Sequence, residues 1–328
     1  MPVAAITGAS GLLGGNLAAE LCAQGWTVRA TRRGSTKIDH LADLPIAWVP
    51  GDLDDAGALT AAFRGADAVF HCAAMVSIVP KVTPAIRAAN VDGTRHVVLA
   101  MRAAGAGRLV HVSSVVTIGV AVDATPATEA TRWNLADHGL ADGYSITKRE
   151  AEEVVIAAAD VDAVIVNPGY MLGPRDARPS SSGLIIKVAK RKLPGATPGV
   201  NDFVDVRDVA RGMIAAFAKG ARGERYILGG ESMTYRDAFA LMAKVAGVAP
   251  PRFTLPRPLA LLIGRGGDAW HRVTGKEPVV NSTQVRYAFQ PNFRFSSAKA
   301  ERVLGYTHGP IEPAIAAAIA WFRQHGML

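Results

Sequence analysis

The stretch Val3-Ala4-Ala5-Ile6-Thr7-Gly8-Ala9-Ser10-Gly11-Leu12-Leu13-Gly14 runs from an apolar strand through a glycine turn into a helix that continues to Gln24. Its glycines stand three apart. The first permits a tight turn, the second lets backbone approach a pyrophosphate, and the third allows the helix to lie close on the strand. The helix start adds unpaired N–H groups and the positive end of a dipole. Gly8, Ser10, Gly11, Leu12, Leu13 and Gly14 are therefore the expected cradle for the phosphates of a dinucleotide. Glycine spacing alone is a weak signal, and the strand before it and the helix after it make it specific.

Outward from this turn, short β-branched runs alternate with helical patterns: Thr27 to Thr31, Ala47 to Pro50, Ala68 to His71, Leu109 to Ser113 and Ala163 to Val166. That alternation predicts a parallel sheet with crossover helices. The runs are apolar throughout, as strands covered by helices on both faces should be. The fold class is thus α/β, a doubly wound parallel sheet. After Pro168 the rhythm shifts to longer helical patterns broken by Pro and Gly, as in Arg178 to Ser182, Pro250 to Pro258 and Pro291 to Phe295. We expect a cofactor domain at 1–168, with 203–229 returning to pack on it. A smaller, mainly helical substrate lobe should occupy 169–328, ending in a helix from Ile311 to His325.

Composition narrows the function classes. The 328 residues are 49% hydrophobic and carry a formal charge of +8. The basic residues are scattered, without a basic run interleaved with aromatics, which argues against nucleic acid and for anionic small molecules. The longest apolar stretches, such as Leu259 to Ile263 and Ile315 to Phe322, are shorter than the roughly 20 residues of a membrane span. Met1 leads straight into the first strand, so no secretory leader is expected and a cytoplasmic location is. Cys22 and Cys72 lack metal-ligand spacing and read as reduced packing residues, and no metal site is expected.

The end of the second strand should choose the cofactor. An acidic side chain there, about 20 residues past the glycines, would bond the adenosine ribose of NAD. This chain has Thr31-Arg32-Arg33 instead. A guanidinium would pair with a 2′-phosphate through charge-assisted bonds worth roughly 1.5–3 kcal/mol. We expect NADP(H) held by Arg33, Arg32 and, further out, Lys37, with NAD(H) still possible. Asp52 and Leu53 follow the third strand at the adenine position, while Asp54 or Asp55 would cap the next helix. His71-Cys72-Ala73-Ala74 ends the fourth strand with small residues suited to backbone passing close to the cofactor. His71 itself reads as a packed core histidine.

Tyr144-Ser145-Ile146-Thr147-Lys148 puts a phenol and an ammonium four apart on one helix face. A phenol with its ordinary pKa near 10 exchanges protons poorly at neutral pH, and an adjacent ammonium favours its ionised form. Lys148 would also bond the ribose of the nicotinamide. A serine should complete the group at the carboxyl edge of the fifth strand, in His111-Val112-Ser113-Ser114. Ser114 is the first choice for polarising a carbonyl; Ser113 either replaces it or contacts cofactor. Met75, Val76, Ser77, Val115 and Tyr170 are candidate substrate walls, largely apolar. The segments 119–142 and 178–198 are expected to cover the pocket.

Taken together, Thr7 to Gly14, Val112 to Ser114 and Tyr144 to Lys148 resemble the extended short-chain dehydrogenase/reductase superfamily. Further matches are Val69 to Ala74, Asn90-Val91-Asp92-Gly93-Thr94, Asn167-Pro168-Gly169, Gly173-Pro174-Arg175-Asp176 and Phe203 to Ala210. Val28 to Arg33 resembles the NADP-binding strand of dihydroflavonol-4-reductases. Ser297 to Tyr306 is similar to bacterial dihydroflavonol-reductase-like proteins, including hopanoid-associated sugar epimerase-like ones. The resemblance implies a Rossmann lobe under a C-terminal substrate lobe, a homodimer through a helix bundle, and cofactor contacts from Asn90, Pro168, Gly169 and Met171.

Two departures direct the reading. Sugar-nucleotide dehydratases of the superfamily carry Thr-Asp-Glu near the serine, whereas Val115-Val116-Thr117 stands here. Many epimerases have Pro before the tyrosine and an acidic NAD-selecting residue, whereas Gly143 and Arg32-Arg33 stand here. The expected activity is NADPH-dependent reduction of a small-molecule ketone or aldehyde. The alternatives are an NAD-dependent sugar-nucleotide epimerase and an NADP-binding sensor without turnover, against which the Tyr/Lys pair argues.

Overall fold

The strands form where the β-branched runs stand, within one or two residues at each end: β1 (Val3–Thr7), β2 (Thr27–Arg32), β3 (Ile46–Pro50), β4 (Ala68–His71), β5 (Arg108–Val112) and β6 (Ala163–Pro168). A seventh, β9 (Arg225–Leu228), joins them in one parallel sheet of order β3-β2-β1-β4-β5-β6-β9. The computed structural model describes residues 1–328 apart from 79, 122, 124, 194, 277 and 279, three of which fall in the segments expected over the pocket. Strand order reverses between β1 and β4, and the crevice at the carboxyl ends of those two strands is the general ligand position of such sheets.

Alternate residues of each strand enter two different cores. Ala4, Ile6, Phe70, Val110 and Val164 face α1 (Leu12–Ala23) and α7 (Val206–Lys219). Ala5, Val69, Leu109 and Ile165 face α2 (Ala56–Phe63), α4 (Gly93–Ala104) and α5 (Gly143–Ala157). Both faces are dry, so every strand position pays for apolar side chains, each worth about 1.5–3 kcal/mol when fully buried. A four-residue helix, α3 (Pro84–Arg87), precedes α4, and a π-helical turn at Ala88–Asp92 joins the two.

The C-terminal part is helical but also holds a three-stranded sheet that the sequence reading did not include. Its order is β10-β8-β7, from β7 (Tyr170–Leu172), β8 (Val200–Asp205) and β10 (Glu231–Thr234). β8 carries Asn201, Asp202 and Asp205 among its six residues, all buried, and so lacks the apolar run that marks a strand. Asp202 is accommodated because it accepts from the Gly230 N–H at 2.7 Å and from Ser232. A third core gathers this sheet with α6 (Gly183–Ala189), α8 (Tyr235–Ala246) and α12 (Glu312–Gln324). Beyond it lie α9 (Arg257–Thr274), α10 (Ser282–Ala288) and α11 (Ala298–Leu304), the last packed on α7 and β9. Among the described residues no helix is long and apolar enough to cross a membrane.

Candidate active site

The glycine turn is built as its spacing requires. Gly8 has φ +76°, and a Cβ there would stand 2.6 Å from the Ala73 nitrogen, so β1 and the end of β4 touch through it. A Cβ on Gly14 would lie 2.3 Å from the Gly8 carbonyl oxygen, so α1 starts directly against the turn. Gly11, the N-cap of α1, is exposed, makes no side-chain cap and leaves its outer side open. Ser10 is half-buried beside it; Leu12 and Leu13 point into the core while their N–H groups begin the helix. With no acidic residue in the first turn of α1, this cradle fits a dinucleotide pyrophosphate.

Arg32 ends β2 half-buried, and Arg33 and Lys37 are exposed beyond it. Arg33 Nε is 3.9 Å from an oxygen of Asp52, so the arginine and the acid at the ends of neighbouring strands face one another. Asp52 also accepts from the Leu53 N–H at 2.7 Å, and Leu53 presses on Gly93. Asp55, not Asp54, caps α2. Cys72 and Ala73 are half-buried and Ala74 exposed, and burial pushes the Cys72 thiol up to about 12. His71 is a buried core residue as expected: it bonds Thr7 at 2.7 Å and Thr94 at 3.1 Å, and burial first, then the Lys148 charge, hold its pKa down to about 3.

Asn90 lies at 2% exposure and spends its amide on the chain itself. It bonds the Met75 N–H and C=O at 2.7 and 3.0 Å and the Thr147 hydroxyl at 3.0 Å, which ties the segment after β4 to α5. Its bearing on a cofactor therefore runs through the position of residues 73–75. Gly169 is required by close packing, since a Cβ would stand 2.7 Å from an Asp202 oxygen. Pro168 closes β6, and Met171 turns toward the core beside α7. Tyr170, one residue earlier on β7, turns the other way, edge-on to Phe203 at 5.3 Å with its hydroxyl donating to the Ser181 carbonyl.

Residue 143 begins α5, capped by Asp142 in a capping box with Ser145, and this places Tyr144 and Lys148 one turn apart. The Ser114 side chain stands close enough to the Tyr144 phenol to favour its ionised form. The lowering of the phenol expected from Lys148 is not what the structure gives. Burial pushes Tyr144 up to about 12; Ser114 pulls the other way and the Asp142 charge adds to the rise. The ammonium of Lys148 is committed elsewhere, donating to the Val112 carbonyl at 2.7 Å. Burial draws Lys148 down to about 8, opposed by the charge of Glu152.

The two serines part company. Ser113 is buried and donates to Glu152 at 2.5 Å, whereas Ser114 is half-buried, caps the turn Val115–Thr117 and faces Tyr144. Glu152 was missed by the sequence reading. Its carboxylate also accepts from Thr117 at 2.8 Å, Asn167 at 3.0 Å and Arg225 at 2.9 Å. Its signal was the spacing Lys148-x-x-x-Glu152, a second helical turn below the ammonium. Of the wall candidates, Met75 and Val76 are exposed and Ser77 half-buried. Val115 instead sits in a fourth core with Ile118, Leu135, Leu140, Phe293 and Phe295.

A glycine cradle beside β1 and β4, with a Ser-Tyr-Lys group at the end of β5, is the arrangement of a dinucleotide-dependent redox site. A model of the NAD dependent epimerase/dehydratase family matches residues 4–229. The chain belongs to that family. Within the extended short-chain dehydrogenase/reductase superfamily, it is an NAD(P)-dependent enzyme of oxidoreductase type. A candidate dihydroflavonol 4-reductase of Synechocystis sp. is 35% identical, the match covering 98% of this chain and 94% of that one. The sterol demethylase protein B of Methylococcus capsulatus is 33% identical over 98% of this chain and 99% of that protein. Among solved structures, that of gox2253 is 33% identical, with a TM-score of 0.86 and full coverage of both chains.

Proposed function

We propose that this epimerase/dehydratase-family enzyme is an NADPH-dependent carbonyl reductase acting on a largely apolar ketone or aldehyde. The observation that carries the reading is the Tyr144 phenol, held protonated at neutral pH by burial and under the influence of Ser114, with Lys148 one turn along the same helix. The 1–168 region with 203–229 serves the cofactor and 169–328 the substrate. The bound dinucleotide supplies the hydride. Ser114 and Tyr144 hold the carbonyl oxygen, Tyr144 gives it a proton, and the Lys148 ammonium offsets the phenolate that is left. Gly8 to Gly14 seat the phosphates, and Arg32 and Arg33 take the 2′-phosphate with Lys37 outside them. Asp52 and Leu53 lie at the adenine, and residues 72–74, 113, 168, 169 and 171 flank the nicotinamide half. Met75, Val76, Ser77 and Tyr170 line the approach. The sterol in the name of one curated relative is a largely apolar compound, in keeping with the lack of charge on those positions.

Two free cysteines suit a cytoplasmic enzyme. Leu99 on α4 and Ile156 on α5, each about half exposed, suit a homodimer through those helices. The test is a screen of ketones and aldehydes with NADPH and NADH beside Tyr144→Phe. The variant should retain NADPH binding and lose about 10²–10⁴-fold in turnover. Equal turnover by both proteins would remove Tyr144 from the chemistry. The family's description favours a second reading, NAD-linked epimerisation of a nucleotide sugar. Arg32 and Arg33 weigh against it, and NAD that copurifies without net NADPH consumption would establish it instead.

A further inference from the structure

Helix α9 is 18 residues long yet buries only Ala260 and Gly264. It is held along one narrow side: Gly264 and Gly267 lie against the backbone of residues 280–282, where a Cβ on either would collide. Leu259, Leu262, Ile263, Trp270 and Val273 are exposed by 48, 67, 47, 55 and 85%. At roughly 100° per residue these five fall in one arc of about 100°, its middle about 120° round the helix from Ala260, Gly264 and Gly267. Arg265 and Arg272 run along one edge of that arc, and Arg257 stands at the helix start, all exposed. The helix has a single acid, Asp268, and it accepts from the Ser282 N–H instead of facing the stripe.

We propose that this face of α9 docks the enzyme on an anionic lipid surface. A stripe of large apolar residues edged by arginines is the composition of helices that lie in the plane of a bilayer interface. Trp270 belongs at headgroup depth, and the arginine stems extend along the apolar zone while their heads reach lipid phosphates. A second copy of the chain would bring the same cations to the contact without an acidic partner for them. The inference is independent of the carbonyl chemistry. Asn281, the N-cap of α10, bonds the Ile78 carbonyl, which ties α9 and α10 to the segment that carries the exposed Met75 and Val76.

The test is flotation of the full-length protein with vesicles of phosphatidylglycerol and phosphatidylcholine, against phosphatidylcholine alone. Wild type should float with the anionic vesicles and be released by salt. The pairs Leu262→Ser with Trp270→Ser and Arg265→Glu with Arg272→Glu should each lower the bound fraction about ten-fold. Unfolding temperature and NADPH binding should stay as in wild type. The proposal is overturned by wild type that remains behind, or by folded variants that float equally well. It is equally overturned if light scattering shows Leu262→Ser with Trp270→Ser converting a dimer to a monomer, because α9 would then be a subunit contact.

Discussion

Lys148 is caught between burial, which draws its pKa to about 8, and Glu152, which keeps it from falling further. Catalysis through the ammonium should therefore fail on the alkaline side: kcat/KM for reduction should decline above about pH 8, while Tyr144 remains a phenol there. A profile flat to pH 10 would take the Lys148 charge out of the rate. The same group makes stability rise with pH between about 8 and its ordinary 10.5, since only the unfolded chain stays fully protonated in that window. Arg32→Ser and Arg33→Ser should each lower the ratio of NADPH to NADH turnover about ten-fold. An unchanged ratio would make them plain surface arginines. Removing Glu152 as Glu152→Ala leaves Arg225 with the Glu129 carbonyl alone and takes the shared acceptor from Ser113, Thr117 and Asn167, and should cost about 1–3 kcal/mol in denaturant unfolding. The tyrosine and lysine could be seen in the sequence because a helix fixes their spacing. Ser113 and Ser114 could not be told apart, because a strand that ends one residue sooner or later exchanges which hydroxyl faces in. Glu152 was hidden because its partners come from β6, β9 and the turn after β5.

Among the elements, the strand–turn–helix unit at the start was the most legible, since Gly8 and Gly14 each answer a contact that a Cβ would forbid, while Gly11 leaves the start of the helix open. Gly14→Ala tests this unit. A methyl 2.3 Å from the Gly8 carbonyl must push α1 off the turn, costing about 1–3 kcal/mol. The variant should melt lower and bind NADPH poorly by fluorescence titration; wild-type values for both would mean that the turn absorbs the methyl. The main strands were equally plain, because burial on both faces leaves an unbroken apolar signature. The small sheet was not, since β8 carries its acids inward: Asp202 accepts from the Gly230 N–H and the Ser232 hydroxyl, and Asp205 from the backbone and guanidinium of Arg207. Helix α9 was visible only as the short run Leu259 to Ile263, and nothing in that run says that its large side chains face out.

At the scale of the whole molecule, the large sheet is finished late. β9 pairs with β6, and α7 covers α1, only after the chain has built β7 and β8. A fragment of residues 1–168 would leave the edge of β6 unpaired and bare the core that Val209, Met213 and Ala216 otherwise fill. It should be insoluble or molten, whereas the full chain should unfold in one transition by fluorescence and circular dichroism alike. A soluble, cooperatively folding fragment would show the first six strands to be self-sufficient.

The chain passes between the large sheet and the small one at Pro168–Tyr170, at Asp205–Val206 and at Leu228–Glu231, returns to the large sheet before α11, and crosses again between α11 and α12. Five covalent stitches along one seam leave little freedom for the halves to swing, unlike a clamshell joined by a single strap. Selectivity in such a body is lock-like, imposed by the shape of a ready-made cleft, and new specificities would arise by recutting the rim without loosening the seam.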